Sequence, residues 1–201
     1  MNSKNTRPII LASTSPRRSQ LLSCLELSFT VIASHADEQV PESFTPEQVV
    51  HELSSRKAES VYTSLKSMHS DAVIIGSDTI VVRDGTILGK PQDVEEAANM
   101  LTSLQGRSHQ VWTGVTCLDG STGEKHIAHC VTTVTMKSLS ESEIQAYASS
   151  KEGLDKAGGY GIQGLGASIV TGIEGCYFNV VGLPLSLLSD MLKKYNIHVL
   201  A

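Results

Sequence analysis

Hydroxyl and guanidinium side chains are concentrated in a short segment near the N-terminus, from Ser13 to Arg18. The segment lies where a predicted strand ends and a predicted helix begins, with Ser15 as N-cap and Pro16 at the first helical position. Free backbone N–H groups at such a junction, together with the Ser hydroxyls and the guanidiniums of Arg17 and Arg18, predict a site for a di- or triphosphate. A well-capped helix with two solvated arginines is the alternative interpretation.

Asp78 is a carboxylate inside an otherwise apolar or small run, residues 73–82. Strand alternation places it on the same face as Ile74, Ile80 and Val82. A carboxylate in a buried strand is costly unless a cation or hydrogen bonds compensate it. Asp78 is therefore a candidate metal ligand or general base. The alternative is an aspartate at a sheet edge that accepts a hydrogen bond from a nearby backbone amide.

Asp37 and Glu38 lie in a predicted acidic loop and offer a second carboxylate. Hard oxygen ligands beside a polyphosphate favour Mg²⁺ or Mn²⁺. Taken alone, such an acidic pair also fits a solvated loop.

Two lysines occupy positions that suggest phosphate contacts. Lys57 interrupts the apolar stripe formed by Val49, Leu53 and Val61 on a long predicted helix. It either reaches into a cleft to neutralise phosphate or extends its ammonium group to the rim of the core. Lys90 follows a predicted hairpin on a loop, where the alternative is ordinary surface charge.

Several familiar motifs lack the structural context that their chemistry requires. Residues 159–164 satisfy GxGxxG, but no predicted strand precedes them and no capped helix follows. Residues 85–90 are one residue short of a phosphate loop, and Pro91 stands where a magnesium-binding hydroxyl belongs. His126 and His129 fall on opposite faces of a predicted strand, so we interpret them as ordinary strand packing and surface rather than a metal pair.

Composition indicates a globular protein without the basic surplus of a nucleic-acid coat. The 201 residues are 40% hydrophobic and 18% charged, with a net charge of −5. No apolar run approaches the ~20 residues that span a bilayer, and the N-terminal residues do not resemble a secretory signal. The four cysteines form no CxxC pair, as expected for reduced thiols in a cytoplasm.

Helical and strand patterns alternate along the chain and predict an α/β fold with a mixed sheet. Strands are predicted over residues 8–12, 29–33, 72–82, 108–118, 126–137 and 177–181. Helices are predicted over residues 16–24, 45–65, 93–104 and 140–148, with another opened by Pro184. Asp84-Gly85 predicts a hairpin turn, and residues 172–175 a further turn.

Four motifs taken together resemble the Maf family of nucleoside triphosphate pyrophosphatases. They are Leu11–Arg18, Gly76–Thr79, Gly89–Pro91 and Asp155–Gly164, which occur in the family's order. The resemblance covers nearly the whole chain, about residues 8–188.

Two of these motifs are similar to the branch that hydrolyses dTTP and UTP. Thr79 follows the aspartate, and Tyr160 begins a Tyr-Gly-Ile-Gln tract, as in that branch. The 7-methyl-GTP branch usually carries Gln after the aspartate and a tract that begins Cys-Ala-Gly. Gly159, where Ala is commoner, is a small departure outside the positions of chemistry.

The resemblance implies a long mixed sheet flanked by helices, with two lobes around a cleft, similar to inosine triphosphate pyrophosphatases. The chain would be a single Maf-like domain, residues 1–201. Asp78 would be the catalytic acid/base residue, and Glu38 would join it in holding Mg²⁺ or Mn²⁺. The substrate-binding and specificity residues would be Ser13, Arg17, Lys57, Thr79, Lys90 and Gln163.

The activity implied is metal-dependent hydrolysis between the α and β phosphates, which limits incorporation of wrong nucleotides. The partner would be a small-molecule nucleoside triphosphate in the cytoplasm, without nucleic acid or membrane, and a homodimer is compatible with the sequence. The alternatives are a nucleotide-binding regulator of septum formation and cell division, or a 7-methyl-GTP pyrophosphatase.

Overall fold

The computed structural model describes residues 7–65 and 71–200. The strands are β1 (Ile9–Ala12), β2 (Thr30–Ile32), β3 (Val73–Arg83), β4 (Thr86–Leu88), β5 (Ser108–Asp119), β6 (Lys125–Met136) and β7 (Val170–Glu174). The α-helices are α1 (Pro16–Ser23), α2 (Pro46–Leu65), α3 (Val94–Leu104), α4 (Glu141–Ser149), α5 (Tyr177–Val181) and α6 (Leu185–Lys193). Two 3-10 turns span Ala157–Gly159 and Gly164–Ser168. None of these helices has both the length and the apolar character needed to cross a bilayer.

The strands form one mixed sheet flanked by helices, which confirms the predicted α/β class. The order is β2-β1-β3-β5-β6-β7, and β4 pairs with β3. β1 runs parallel to both β2 and β3, whereas β4 and β7 run antiparallel to β3 and β6. β3 is therefore an interior strand of the order, and Asp78 lies between the residues of β3 that pair with β1 (73–76) and those that pair with β4 (81–83).

The chain divides into two compact units, each assembled from separate stretches of sequence. The first consists of Met1–Asp78, Thr113–Cys130 and Gly182–Ala201, and the second of Thr79–Trp112 and Val131–Val181. The single two-lobed domain expected from the sequence stays a prediction.

The core of the first unit lies between α2 and the parallel strands. Ile10 of β1 and Ile74 of β3 pack with Ala58 and Val61, which lie on the apolar face of α2. All four side chains are almost fully buried. Their burial fixes which face of α2 turns away from solvent, and so limits where its polar residues point.

Two glycines of the sheet allow the backbone of α2 to approach very closely. A Cβ atom at Gly76 of β3 would lie 2.1 Å from the carbonyl oxygen of Ser54, and one at Gly114 of β5 would lie 2.2 Å from that of Val50. Both oxygens belong to the helix backbone, which cannot move aside as a flexible side chain would. These two positions therefore set the distance between α2 and the sheet.

We expect Gly76→Ala to lower the free energy of unfolding by about 3 kcal/mol, because the added methyl group overlaps the α2 backbone. Urea denaturation of the two proteins measures the difference. Gly172→Ala is the matched control, since a Cβ there would meet no atom of the described residues within 4 Å. Equal losses of stability in both variants would contradict the close-approach argument.

The core of the second unit gathers around α3 and α4. Leu101 and Leu104 of α3 pack with Val134 and Met136 of β6 and with Tyr160. Since Tyr160 belongs to the glycine-dense tract, this core anchors one end of that tract.

The prediction of a strand at residues 177–181 is wrong, because this segment forms α5. Its aromatic and β-branched residues favour a strand locally, but tertiary contacts override that preference. The amide nitrogen of Asn179, which is fully buried, donates to the carbonyl oxygen of Val111 at 3.0 Å and to Oγ1 of Thr132 at 2.9 Å. The turn predicted at residues 172–175 is also wrong over most of its length, because β7 runs through residue 174.

Candidate active site

An ammonium group bridges two carboxylates in the first unit. Nζ of Lys57 lies 2.5 Å from Oδ1 of Asp78 and 2.8 Å from Oε1 of Glu38. The side chains of Lys57 and Asp78 are only 12% and 10% exposed, whereas that of Glu38 is 50% exposed. Three residues that the sequence marked as candidates are thus brought together, with one side of the group open to solvent.

Each member of this group comes from a different kind of element. Asp78 is held on an interior strand, β3, and Lys57 extends from α2 across the closely packed interface described above. Glu38 lies in the loop between β2 and α2. The ammonium group of Lys57 contacts both carboxylates, and its contact with phosphate stays a prediction.

Arg56 holds the loop that carries Glu38, and sequence reasoning did not identify it. Its Nη1 donates to the carbonyl oxygens of Asp37 at 3.2 Å and Gln39 at 2.6 Å, on either side of Glu38. The carboxylate of Asp37 accepts from the backbone N–H of Gln39 and so acts within the loop. Two adjacent residues of α2 therefore position Glu38. Arg56 binds the backbone of its loop, and Lys57 pairs with its carboxylate.

Arg18 adds a second cation to the charge balance of this group. Its guanidinium donates to the carbonyl oxygen of Gly182 at 2.8 Å. Burial lowers the pKa of Arg18, while attraction by Asp78 and Glu38 opposes that effect. The group stays protonated, as arginine does in proteins. The hydroxyl and arginine segment contained both Arg17 and Arg18, and the family resemblance singled out Arg17.

The predicted hydroxyl and arginine segment lies at the start of α1. Ser13 is buried, and its Oγ accepts from the backbone N–H of Ser15 at 3.1 Å. Ser15 occupies the N-cap position, as predicted, but its side chain makes no capping hydrogen bond to the described residues. Arg17 is half-buried on the first turn. Ser13 therefore has a structural role in ordering the turn, and phosphate contact by Ser13 or Arg17 stays a prediction.

Thr79, Lys90 and Gln163 belong to the second unit. Thr79 is half-buried on β3, whereas Lys90 and Gln163 are exposed. The backbone N–H of Gly158 donates to the carbonyl oxygen of Gly89 at 2.9 Å, which ties the Lys90 loop to the glycine-dense tract. Their roles in substrate binding stay predictions.

Glu152 organises the backbone on one side of Gln163, and it was also missed. Its carboxylate accepts from the backbone N–H of Leu165 at 2.9 Å and of Gly166 at 3.0 Å, and from the hydroxyl of Tyr147 at 3.0 Å. Burial alone would raise the pKa of Glu152, but the two backbone donors and Tyr147 lower it. The carboxylate thus remains ionised and fixes this part of the tract.

The tract itself is not a dinucleotide-binding motif, as the sequence context indicated. Residues 157–159 and 164–168 form 3-10 turns. Gly158 and Gly159 adopt φ values of 72° and 73°, a left-handed conformation that favours glycine.

A buried histidine contacts Tyr160 of the glycine-dense tract. Nε2 of His109 lies 2.6 Å from the hydroxyl of Tyr160, and burial, reinforced by the charge of Arg107, lowers the pKa of His109 to about 4. His109 is therefore neutral in the folded protein at pH 7.

Stability should fall in acid through His109. Between about pH 6.5 and pH 4 the unfolded state binds a proton that the folded state does not, so the free energy of unfolding decreases by about 3 kcal/mol as the pH drops. Urea denaturation across this range measures the slope. His109→Gln, which retains a hydrogen-bonding amide, should lack this component. The same slope in both proteins would contradict the assignment.

The structure offers two different sets of potential metal ligands. Glu38 and Asp78 provide only carboxylate oxygens, the donor type that Mg²⁺ and Mn²⁺ prefer, so these residues fit the hard cation expected from the sequence. A separate cluster of Glu47, His51 and His129 mixes imidazole and carboxylate donors.

Comparison with known proteins gives matches over nearly the whole chain. A family model described as Maf-like protein matches residues 8–195. A dTTP/UTP pyrophosphatase of Pelotomaculum thermopropionicum is 48% identical over 194 residues, covering 96% of this chain and 100% of the relative. A dTTP/UTP pyrophosphatase of Bacillus velezensis is 47% identical over 193 residues, covering 96% and 98%. Among solved structures, the Staphylococcus aureus Ham1 protein is 14% identical, with a TM-score of 0.47 and coverage of 82% and 80%.

Proposed function

The chain belongs to the family of Maf-like proteins. From this premise we propose that it hydrolyses dTTP and UTP, and that the products are the nucleoside monophosphate and inorganic diphosphate. The observation that carries the proposal is the contact of Lys57 with both Asp78 and Glu38. Relatives of nearly equal length, close to half identical, carry the name dTTP/UTP pyrophosphatase.

The cations of the first unit bind the polyphosphate in this proposal. Lys57 and Arg18 supply positive charge beside two carboxylates, and Arg17 adds a third cation at the start of α1. Glu38 and Asp78 hold Mg²⁺ or Mn²⁺, which supplies charge neutralisation at the phosphate oxygens when bound. In that state the ammonium group of Lys57 is available to donate to a phosphate oxygen as well.

The reaction breaks the bond between the α-phosphorus and the oxygen that bridges to the β-phosphate. A water molecule adds to the α-phosphorus, and diphosphate leaves with the bridging oxygen. Asp78 orients this water and accepts its proton, which then passes to solvent. Lys57 stabilises negative charge that develops on the phosphate oxygens.

Base selection is assigned to Arg17, Thr79 and Gln163, with Lys90 as a further phosphate contact. Polar groups that read the edge of the base discriminate strongly, because a wrong base leaves them buried without partners. Glu152 supports this role, since its hydrogen bonds fix the backbone that follows Gln163. We place the reaction in the cytoplasm, where it removes nucleotides before they are incorporated.

A product assay tests the proposal. The protein is incubated with dTTP, UTP, CTP, dATP and 7-methyl-GTP, and diphosphate is detected separately from orthophosphate. We expect diphosphate from dTTP and UTP, loss of activity on chelation, and recovery with Mg²⁺ or Mn²⁺. Orthophosphate as the primary product, or preference for 7-methyl-GTP, would overturn it.

A further inference from the structure

Two imidazoles and a carboxylate converge on the first turns of α2, apart from the Lys57 group. Nε2 of His51 lies 2.9 Å from Nδ1 of His129, and Oε1 of Glu47 lies 3.9 Å from the same Nδ1. The ligand atoms of all three residues lie within 4.8 Å of one another. Both histidines are half-buried, while Glu47 is exposed, so the cluster is open to solvent on one side.

The fold explains why these residues meet. Glu47 and His51 are four residues apart on α2 and therefore share one helix face. His129 reaches them from β6. His126, three residues earlier on the same strand, instead has its Nδ1 3.3 Å from the ammonium nitrogen of Lys194. The sequence analysis interpreted His126 and His129 as ordinary strand packing and surface, and it gave no sign of the partner of His129 on α2.

The arrangement can hold either a shared proton or a cation. A single proton joins the two facing nitrogens at 2.9 Å, so only one of them donates. Ligand atoms around a tetrahedral ion at about 2.0–2.1 Å from each nitrogen lie about 3.3 Å apart, between the 2.9 Å that separates the two histidine nitrogens and the 3.9 Å from His129 to Glu47.

We propose that Glu47, His51 and His129 form a binding site for Zn²⁺, with water completing the coordination. Two imidazole nitrogens and one carboxylate oxygen form a donor set typical of zinc sites with an open position. The mixed donors distinguish it from the all-oxygen pair Glu38 and Asp78, which favours a harder cation. The bound ion replaces the proton shared by the histidines and links α2 to β6.

The link has a physical consequence for α2. An ion that binds the folded protein and not the unfolded chain raises the free energy of unfolding, and the gain grows with the logarithm of the free ion concentration above the Kd. Because α2 carries Lys57, the same linkage makes zinc a stabiliser of the helix that positions this residue.

Calorimetric titration of the full chain with ZnCl₂, in saturating Mg²⁺, tests the proposal. We expect one Zn²⁺ per chain at this site, and a melting temperature raised by a few degrees. His51→Gln and His129→Gln should each weaken zinc binding at least 10-fold and abolish the shift. His198→Gln, which removes an exposed histidine elsewhere, should leave both unchanged.

Zinc binding unchanged by either His51→Gln or His129→Gln, or no binding by the unaltered protein, would overturn the site. If those variants fold poorly, Glu47→Gln changes only an exposed side chain and should still weaken binding several-fold. The readout is zinc affinity rather than turnover, so its outcome is independent of the pyrophosphatase assay.

Discussion

Asp78→Asn is expected to lower the turnover of dTTP about 1,000-fold or more, because the amide neither accepts the proton of the attacking water nor holds a divalent cation as a carboxylate does. Steady-state release of diphosphate measures the effect. The fold should persist, since the amide oxygen still accepts a hydrogen bond from Nζ of Lys57, and circular dichroism checks this.

Asp84→Asn is the control for this substitution. Asp84 is an exposed aspartate whose carboxylate pairs with Arg107 at 2.6 Å. Its replacement by Asn should leave turnover unchanged. Turnover near that of the unaltered enzyme in Asp78→Asn would remove Asp78 from its proposed role.

Lys57→Met is expected to reduce turnover about 100-fold and to lower the free energy of unfolding by about 3 kcal/mol. The first effect follows from loss of a cation at the phosphates. The second follows because Asp78, only 10% exposed, loses the ammonium group that contacts it, and the attraction of Arg18 compensates the buried charge only in part. Diphosphate release and urea denaturation measure the two effects separately.

Lys125→Met provides the matched control. Lys125, on β6, forms a more exposed ion pair with Glu59, which lies on α2 as Lys57 does. This substitution should change neither turnover nor stability appreciably. The double substitution Lys57→Met with Asp78→Asn should regain most of the lost stability and none of the activity, because neither charge then remains buried. If the double variant is less stable than Lys57→Met alone, the buried-charge explanation fails.

Two of the residues that sequence reasoning found interrupt a hydrophobic pattern. Asp78 stands in an apolar strand and Lys57 in the apolar stripe of a helix, so burial of each required a partner. That they partner one another was not visible, because nothing in a single sequence relates position 57 to position 78. Glu38 entered only as one of two loop carboxylates, and the structure separates it from Asp37.

The residues that were missed look like ordinary surface charges. Arg56 and Glu152 bind backbone atoms of loops, and backbone atoms leave no trace in residue types. The interior position of β3 was likewise undetermined, because local patterns predict strands but not their order. α5 shows the same limit, since a buried hydrogen-bond network around Asn179 fixes a helix where local preference favours a strand.

The first unit can be completed only after the segment that contains Gly182 has been synthesised. The carbonyl oxygen of Gly182 accepts from Arg18 and from the buried hydroxyl of Ser77, beside Asp78. During translation, Lys57 and Asp78 are therefore synthesised more than a hundred residues before Gly182, whose carbonyl oxygen accepts these hydrogen bonds. Until residues 182–201 emerge from the ribosome, the contacts that they make with the first unit are missing, and apolar surface of its strands stays exposed. During this period chaperones and proteases compete with folding for the nascent chain.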